Sequence, residues 1–265
     1  MSNKQMVRNP LRTRNRLKRA LAQRRQAITR LLGGLLPLYR LTIGRVVNKL
    51  FMLDLVSQTE NFRHVKWLGQ PLWQNTTDLW TIQEVISEVR PGLLIETGTY
   101  EGGSARFYAS LMDLVDHGRV ITIDLRRKPE IDHPRVTFIP GSSTDPFVVA
   151  RVRAEVAKTE GSVMVILDSD HRQAHVAAEL EAYASLVTPG SYILVQDGIM
   201  DELLPALRKD TPGPVPAIRA FLKAHPDFVE DSELSERFLI TSHPHGWLRR
   251  LGPSPQGGEN PEPRS

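Results

Sequence analysis

From about residue 80 the chain alternates two patterns of apolar positions. One recurs every three to four residues and predicts helices. TIQEVISEVR sets Ile82, Val85, Ile86 and Val89 on one stripe, and Pro91-Gly92 ends it. The same spacing predicts helices over SARFYASLMDLV, DPFVVARVRAEVAK, HVAAELEAYASLV and PVPAIRAFLKAH. The other pattern is a short continuous apolar run. It appears in LLIE (Leu93–Glu96), VITID (Val120–Asp124), VTFIP (Val136–Pro140), VMVILD ending at Asp168, and SYILVQD ending at Asp197. Strands of this kind, separated by amphipathic helices, predict a parallel sheet covered on both faces. Two further runs, FVED and RFLIT, are separated by SELSE alone. A parallel crossover needs a dozen or more residues, so these two should form an antiparallel hairpin.

The expected fold class is therefore α/β, a Rossmann-like, doubly wound sheet of seven strands that closes with a C-terminal antiparallel hairpin. A dinucleotide-binding Rossmann sheet is parallel throughout. The closing hairpin instead marks the class I methyltransferase variant. A basic helical arm should precede this domain. The expected boundaries are 1–52 for the arm, 53–251 for the domain and 252–265 for a disordered tail rich in Pro and Gly.

Ligands of open α/β sheets bind at the carboxyl ends of the strands. The first strand runs into ETGTYEGGSA, whose glycines at 98, 102 and 103 do not follow the dinucleotide spacing G-x-G-x-x-G. An acid at the strand tip, Glu96, would repel a pyrophosphate but can pair with a cationic amine. This favours S-adenosylmethionine, held by Glu96, Gly98, Thr99, Gly102, Gly103 and Ser104 at a helix N-terminus. Asp124 ends the second strand, placed to accept bonds from two ribose hydroxyls. Ser142 and Ser143 follow the third strand, where an adenine edge would lie. Asp168 ends the fourth strand and borders both the cofactor and the chemistry.

Asp168 and Asp197 end adjacent strands, and two carboxylates converging at one sheet edge repel unless a cation lies between them. Oxygen ligands suit Mg²⁺ or Mn²⁺, and such an ion lowers the pKa of a bound hydroxyl. His171, just past Asp168, is the best-placed general base. A zinc site from His171, His175 and Asp168 is the rival, but no Glu lies between the histidines as in H-E-x-x-H. His175 otherwise reads as structural, and Asp170 as the cap of the following helix.

Charge adds a feature that the overall net of +4 hides. Thirteen Lys and Arg and no Asp or Glu precede Leu50, while the rest of the 265-residue chain carries 21 basic and 30 acidic residues. The arm alternates basic and apolar residues, as does an amphipathic helix on an anionic membrane, a nucleic acid or another subunit. Its apolar run LLGGLLPLY is too short to span a bilayer. There is no cysteine, which excludes disulfides, thiolate metal sites and thiol catalysis, and suits a reducing compartment. A cytoplasmic protein is expected, peripherally bound to the cytoplasmic membrane face through residues 1–50. The acidic body and 6% aromatic content argue against nucleic acid as a partner.

The combination WLGQPLWQNTTDLWTIQEVI, IETGTYEGGSA, VILDSDHRQAHVAAELEAYASLVTPGSYILVQD and PHGWLRR resembles the cephalosporin hydroxylase / rhamnosyl O-methyltransferase family, over roughly Leu53 to Leu251. The resemblance implies an S-adenosylmethionine- and Mg²⁺-dependent O-methyltransferase that acts on a sugar hydroxyl of a glycolipid, polysaccharide or natural product, and a homo-oligomer. It implies metal ligands at Asp168 and at an acid pair that here reads Gln196-Asp197, so one expected carboxylate is an amide. It also places Trp67, Gln74, Asp78 and Gln83 in a segment over the active site, although core or interface packing is the simpler expectation for at least two of Trp67, Trp73 and Trp80. An oxidative tailoring enzyme and a non-catalytic scaffold subunit are the alternatives.

Overall fold

The strands β1 (Lys66–Trp67), β2 (Gln70–Pro71), β3 (Leu93–Thr97), β4 (Arg119–Asp124), β5 (Val136–Pro140), β6 (Val163–Leu167), β7 (Tyr192–Val195), β8 (Phe228–Glu230) and β9 (Trp247–Arg250) form two sheets. β1 and β2 are a small antiparallel pair, and the other seven form one sheet in the order β5-β4-β3-β6-β7-β9-β8. β5 through β7 are parallel, while β9 runs antiparallel to both β7 and β8. This computed structural model describes residues 33–34, 39–57, 64–125, 131–203 and 211–252. Most of the expected arm and nearly all of the expected tail lie outside those residues.

The chain divides into two units after Val47. In the first, Arg40–Gly44 form a π-helical turn. The helices are α1 (Arg45–Ser57), α2 (Thr76–Val89), α3 (Gly103–Leu114), α4 (Pro146–Val156), α5 (Gln173–Tyr183), α6 (Ile199–Leu203), α7 (Pro214–Ala224) and α8 (Ser232–Ser235). α2 starts at a cap, Asn75, whose side chain accepts from Thr77 N. Asp145 caps α4 by accepting from Phe147 N at 2.7 Å, with Pro146 in the first turn. Among the described residues no helix is long and apolar enough to cross a membrane.

The central strands β3, β4, β6 and β7 are buried on both faces, so alternate residues feed two cores. Leu93, Ile95, Ile121, Val163 and Val165 pack with Val152 of α4, Leu180 of α5 and Phe221 of α7. Leu94, Val120, Met164, Ile166 and Leu194 pack with Ile82 and Ile86 of α2 and with Tyr108 and Met112 of α3. This parity decides the site. Glu96, two residues beyond Leu94, and Gln196, two beyond Leu194, fall on the α2–α3 side of the sheet.

One expectation is corrected. The second strand of the closing hairpin is β9, Trp247–Arg250, and not RFLIT. The backbone of the segment from Arg237 to Thr241 is committed elsewhere: Thr77 Oγ1 donates to Ile240 O at 2.7 Å, and Asn48 Oδ1 accepts from Thr241 N at 3.1 Å. Its apolar residues gave the periodicity of a strand, but side chains from distant elements hold its polar groups.

Candidate active site

The chain runs from β3 outward to β5 and then returns to β6, so β3 and β6 flank the point where the strand order reverses. A crevice opens there at the strand tips. It is a cavity of about 690 Å³, within the range of small-molecule sites. Two backbone approaches shape its floor. Asp168 N donates to Thr97 O at 3.0 Å, which draws the two strand ends together. Gly98 follows with φ +90°, and a Cβ there would lie 1.9 Å from Asp168 O. Gly103 starts α3, and its Cβ would lie 2.0 Å from Pro71 O. The glycine-rich turn is thus required by close packing as well as by any ligand above it.

On one side of the cavity, Gly98, Thr99, Ser104, Asp124, Ser142 and Ser143 contribute to the wall. Tyr100 N donates to Asp124 Oδ2 at 2.9 Å and orients that carboxylate. Glu96 lies one layer deeper. It is fully buried, accepts from Thr122 Oγ1 at 2.5 Å, and Thr122 in turn meets Thr99 Oγ1 at 2.7 Å. Its second oxygen, Oε1, has no hydrogen-bond partner. Burial pushes the Glu96 carboxyl up to about 7, against the pull of the Ser104 and Thr122 hydroxyls. Below Ser143, His175 Nε2 lies 3.1 Å from its Oγ, and Tyr183 OH donates to its carbonyl at 2.7 Å.

On the other side, Asp168, His171 and Asp197 each offer one ligand atom, all within 4.8 Å of one another. His171 Nε2 is 3.2 Å from Asp197 Oδ2. Gln74 Nε2 donates to Asp168 Oδ2 at 2.8 Å and to Gln196 Oε1 at 2.5 Å. Gln196 is buried, and its amide abuts the Asp168 carboxylate. Enclosure, and then the charges of Asp197, Glu96 and Glu179, push the Asp168 carboxyl well above its usual range. An enclosed carboxyl beside a second acid, with a polar amide behind it, is a donor set that fits a hard divalent cation.

One local expectation changes. Arg172, not Asp170, is the N-cap of α5. Asp170 instead accepts from Arg172 N at 3.0 Å and pairs with the Arg172 guanidinium, which holds its carboxyl down at about 2. Of the three upstream tryptophans, Trp67 packs edge-on against Phe107, Trp73 joins the cavity wall, and Trp80 is 59% exposed. Sequence reasoning missed the apolar residues that also line the cavity, among them Met52, Leu55, Trp73, Ile199 and Met200. Met52 and Leu55 are one helical turn apart in α1, a weak signal that the basic residues before them overshadow.

The family described as rhamnosyl O-methyltransferase/CmcI matches residues 59–251. The chain belongs to this family. A rhamnosyl O-methyltransferase of Mycobacterium tuberculosis (strain ATCC 25618 / H37Rv) is 36% identical over 191 residues, which cover 69% of this chain and 77% of that protein. The rhamnosyl O-methyltransferase of Mycobacterium leprae (strain TN) is 32% identical over 189 residues, 69% of this chain and 82% of that one. A solved structure described as "cmcI-D160 Mg-SAM" superposes with a TM-score of 0.57 at 20% identity, over 72% of this chain and 78% of that one. The sheet order with its antiparallel closing strands is the class I methyltransferase fold, as expected. As a member of the rhamnosyl O-methyltransferase/CmcI family, the protein is an O-methyltransferase.

Proposed function

We propose that the protein moves the methyl group of S-adenosylmethionine to a sugar hydroxyl of a glycolipid, polysaccharide or natural product, with Mg²⁺ or Mn²⁺ held at Asp168 and Asp197. The observation that carries this reading is the convergence of Asp168, His171 and Asp197 in one cavity with Asp124. The bound donor supplies a sulfonium-activated methyl group, and a divalent ion lowers the pKa of a hydroxyl that it coordinates. The rest of the work falls to the chain. Asp124, fixed by Tyr100 N, accepts the ribose hydroxyls. Thr99, Ser104 and the helix start at Gly102–Gly103 frame the amino-acid end, and the buried Glu96 carboxyl one layer beneath them favours a cation there. Ser142 and Ser143 border the base. Gln196, the third candidate ligand, keeps its amide against Asp168 from the buried side. The His171 imidazole takes the proton of the acceptor hydroxyl while the walls hold that oxygen in line with the methyl carbon, and orientation supplies much of the rate.

The clustering of His171 with the two aspartates favours a second reading, in which His171 is itself a ligand. One experiment addresses both. Methyl transfer from labelled S-adenosylmethionine to a rhamnose-bearing lipid is expected for the wild type and is expected to fall at least a hundredfold in Asp168→Asn and His171→Ala. If His171 is the base, His171→Ala keeps its Mn²⁺ affinity; if it is a ligand, Mn²⁺ binding falls with activity. No transfer to any sugar acceptor by the folded wild type would defeat the proposal.

The apolar residues in the cavity lining, Met52, Leu55, Ile199 and Met200 among them, support an acceptor with an apolar body next to its sugar. The arm supports its delivery at an anionic membrane on the cytoplasmic face, because thirteen basic residues precede Leu50 without an acid. Self-association belongs to the same reading and rests on the family resemblance alone.

A further inference from the structure

Asp197 has φ +57°, a left-handed conformation that L side chains rarely adopt and that lasts only where the surroundings impose it. Its backbone N–H meets His243. This histidine is 1% exposed, and its Nδ1 accepts the backbone N–H of Asp197 at 3.0 Å. An accepting Nδ1 carries no proton, so the ring proton lies on Nε2. That Nε2 is buried with no hydrogen-bond partner, and the nearest carboxylate oxygen, Asp78 Oδ2, is 3.8 Å away. Asp78 is itself buried and fixed on three sides. Asn75 Nδ2 donates to it at 3.0 Å, Thr241 Oγ1 at 2.7 Å and Ser242 N at 2.7 Å. Thr241 Oγ1 also accepts from His243 N at 3.0 Å. A carboxylate facing Nε2–H favours the tautomer that leaves Nδ1 free to accept.

We infer that His243 is a positioning residue: backed by Asp78, it pins the strained backbone of Asp197 so that the carboxylate is presented to His171 and Asp168. The role given to Asp197 as a metal ligand rests on the proposed function, while the pinning itself does not. The strain explains why an imidazole is needed. A glycine at 197 would relax the turn but remove the carboxylate. An aspartate keeps the carboxylate and needs an acceptor to hold its N–H.

The test separates geometry from bulk. In His243→Asn the amide oxygen can take the place of Nδ1, whereas in His243→Gln it reaches toward the place of Nε2. With S-adenosylhomocysteine present, Mn²⁺ binding followed by loss of the free-ion paramagnetic resonance signal should stay within about threefold of wild type in His243→Asn. It should weaken about tenfold or more in His243→Gln. Melting temperatures of the two variants should agree within a few degrees. In ¹⁵N-labelled wild type, a scalar coupling across the hydrogen bond should link the Asp197 amide nitrogen to His243 Nδ1. Equal Mn²⁺ affinities in the Asn and Gln variants, or loss that merely follows melting temperature, would overturn the inference, as would absence of the coupling. If the wild type binds no Mn²⁺, the metal reading falls instead, and the coupling alone decides whether His243 holds Asp197.

Discussion

A carboxyl at position 96 is buried on the sheet face that α2 and α3 cover, with one oxygen held by Thr122 and the other unpaired. Its folded value of about 7 lies above the ordinary value of 4.5. Between those two values the folded chain keeps a proton that the unfolded chain has lost, so stability should fall as pH rises through that window and level off above it. The loss is about 3 kcal/mol at most. Glu96→Gln should remove that slope in denaturant titrations at pH 4.5, 6 and 7.5; an unchanged slope would place it in another group. A cationic amine arriving above Glu96 should expel the same proton. Calorimetry of S-adenosylmethionine binding at pH 6.5 in two buffers of different ionisation enthalpy should show proton release in wild type and none in Glu96→Gln. At this scale the sequence was readable where an acid ends an apolar run, as at Glu96, Asp124, Asp168 and Asp197. It was silent on His243, because a lone buried histidine carries no periodicity, and on Trp73 and Tyr100, whose ring centroids meet 5.4 Å apart through folding alone.

Among elements, β3 and β6 set the site. Their parallel register ends with Thr97 beside Leu167, and the next residues, Gly98 and Asp168, touch backbone to backbone. Gly98→Ala combines a positive φ with a Cβ 1.9 Å from a carbonyl oxygen, neither of which a side-chain rotation can relieve. It should destabilise the domain by about 3 kcal/mol or more, read as a lowered melting temperature, with S-adenosylmethionine binding lost in the fraction that remains folded. A variant that melts and binds like wild type would mean that the strand tips stand further apart. The parallel strands and their helices were legible, because buried strands and amphipathic helices differ in both period and length. The last strand was not. Arg237–Thr241 carries the apolar composition of a strand, yet its backbone serves Asn48 and Thr77, and no local pattern records partners so distant in sequence.

For the whole molecule the division of charge matters most. A net +13 before Leu50 precedes a body of net −9. Deleting residues 1–38, which leaves α1 intact, should abolish sedimentation with phosphatidylglycerol vesicles at 0.1 M salt while sparing methyl transfer to a water-soluble acceptor. Unchanged vesicle binding would remove the arm from the account. The mechanism as a whole, however, turns on a cavity that binds S-adenosylmethionine with a divalent ion beside it. The most direct measurement is calorimetric titration of S-adenosylmethionine into the full chain with Mg²⁺ and again with EDTA, with Asp124→Ala and NADPH as controls. Saturable binding is expected in the wild type, at least tenfold weaker in Asp124→Ala, with a further heat on adding Mg²⁺ to the donor complex, and none with NADPH. A folded wild type that binds no S-adenosylmethionine under either condition would contradict the mechanism.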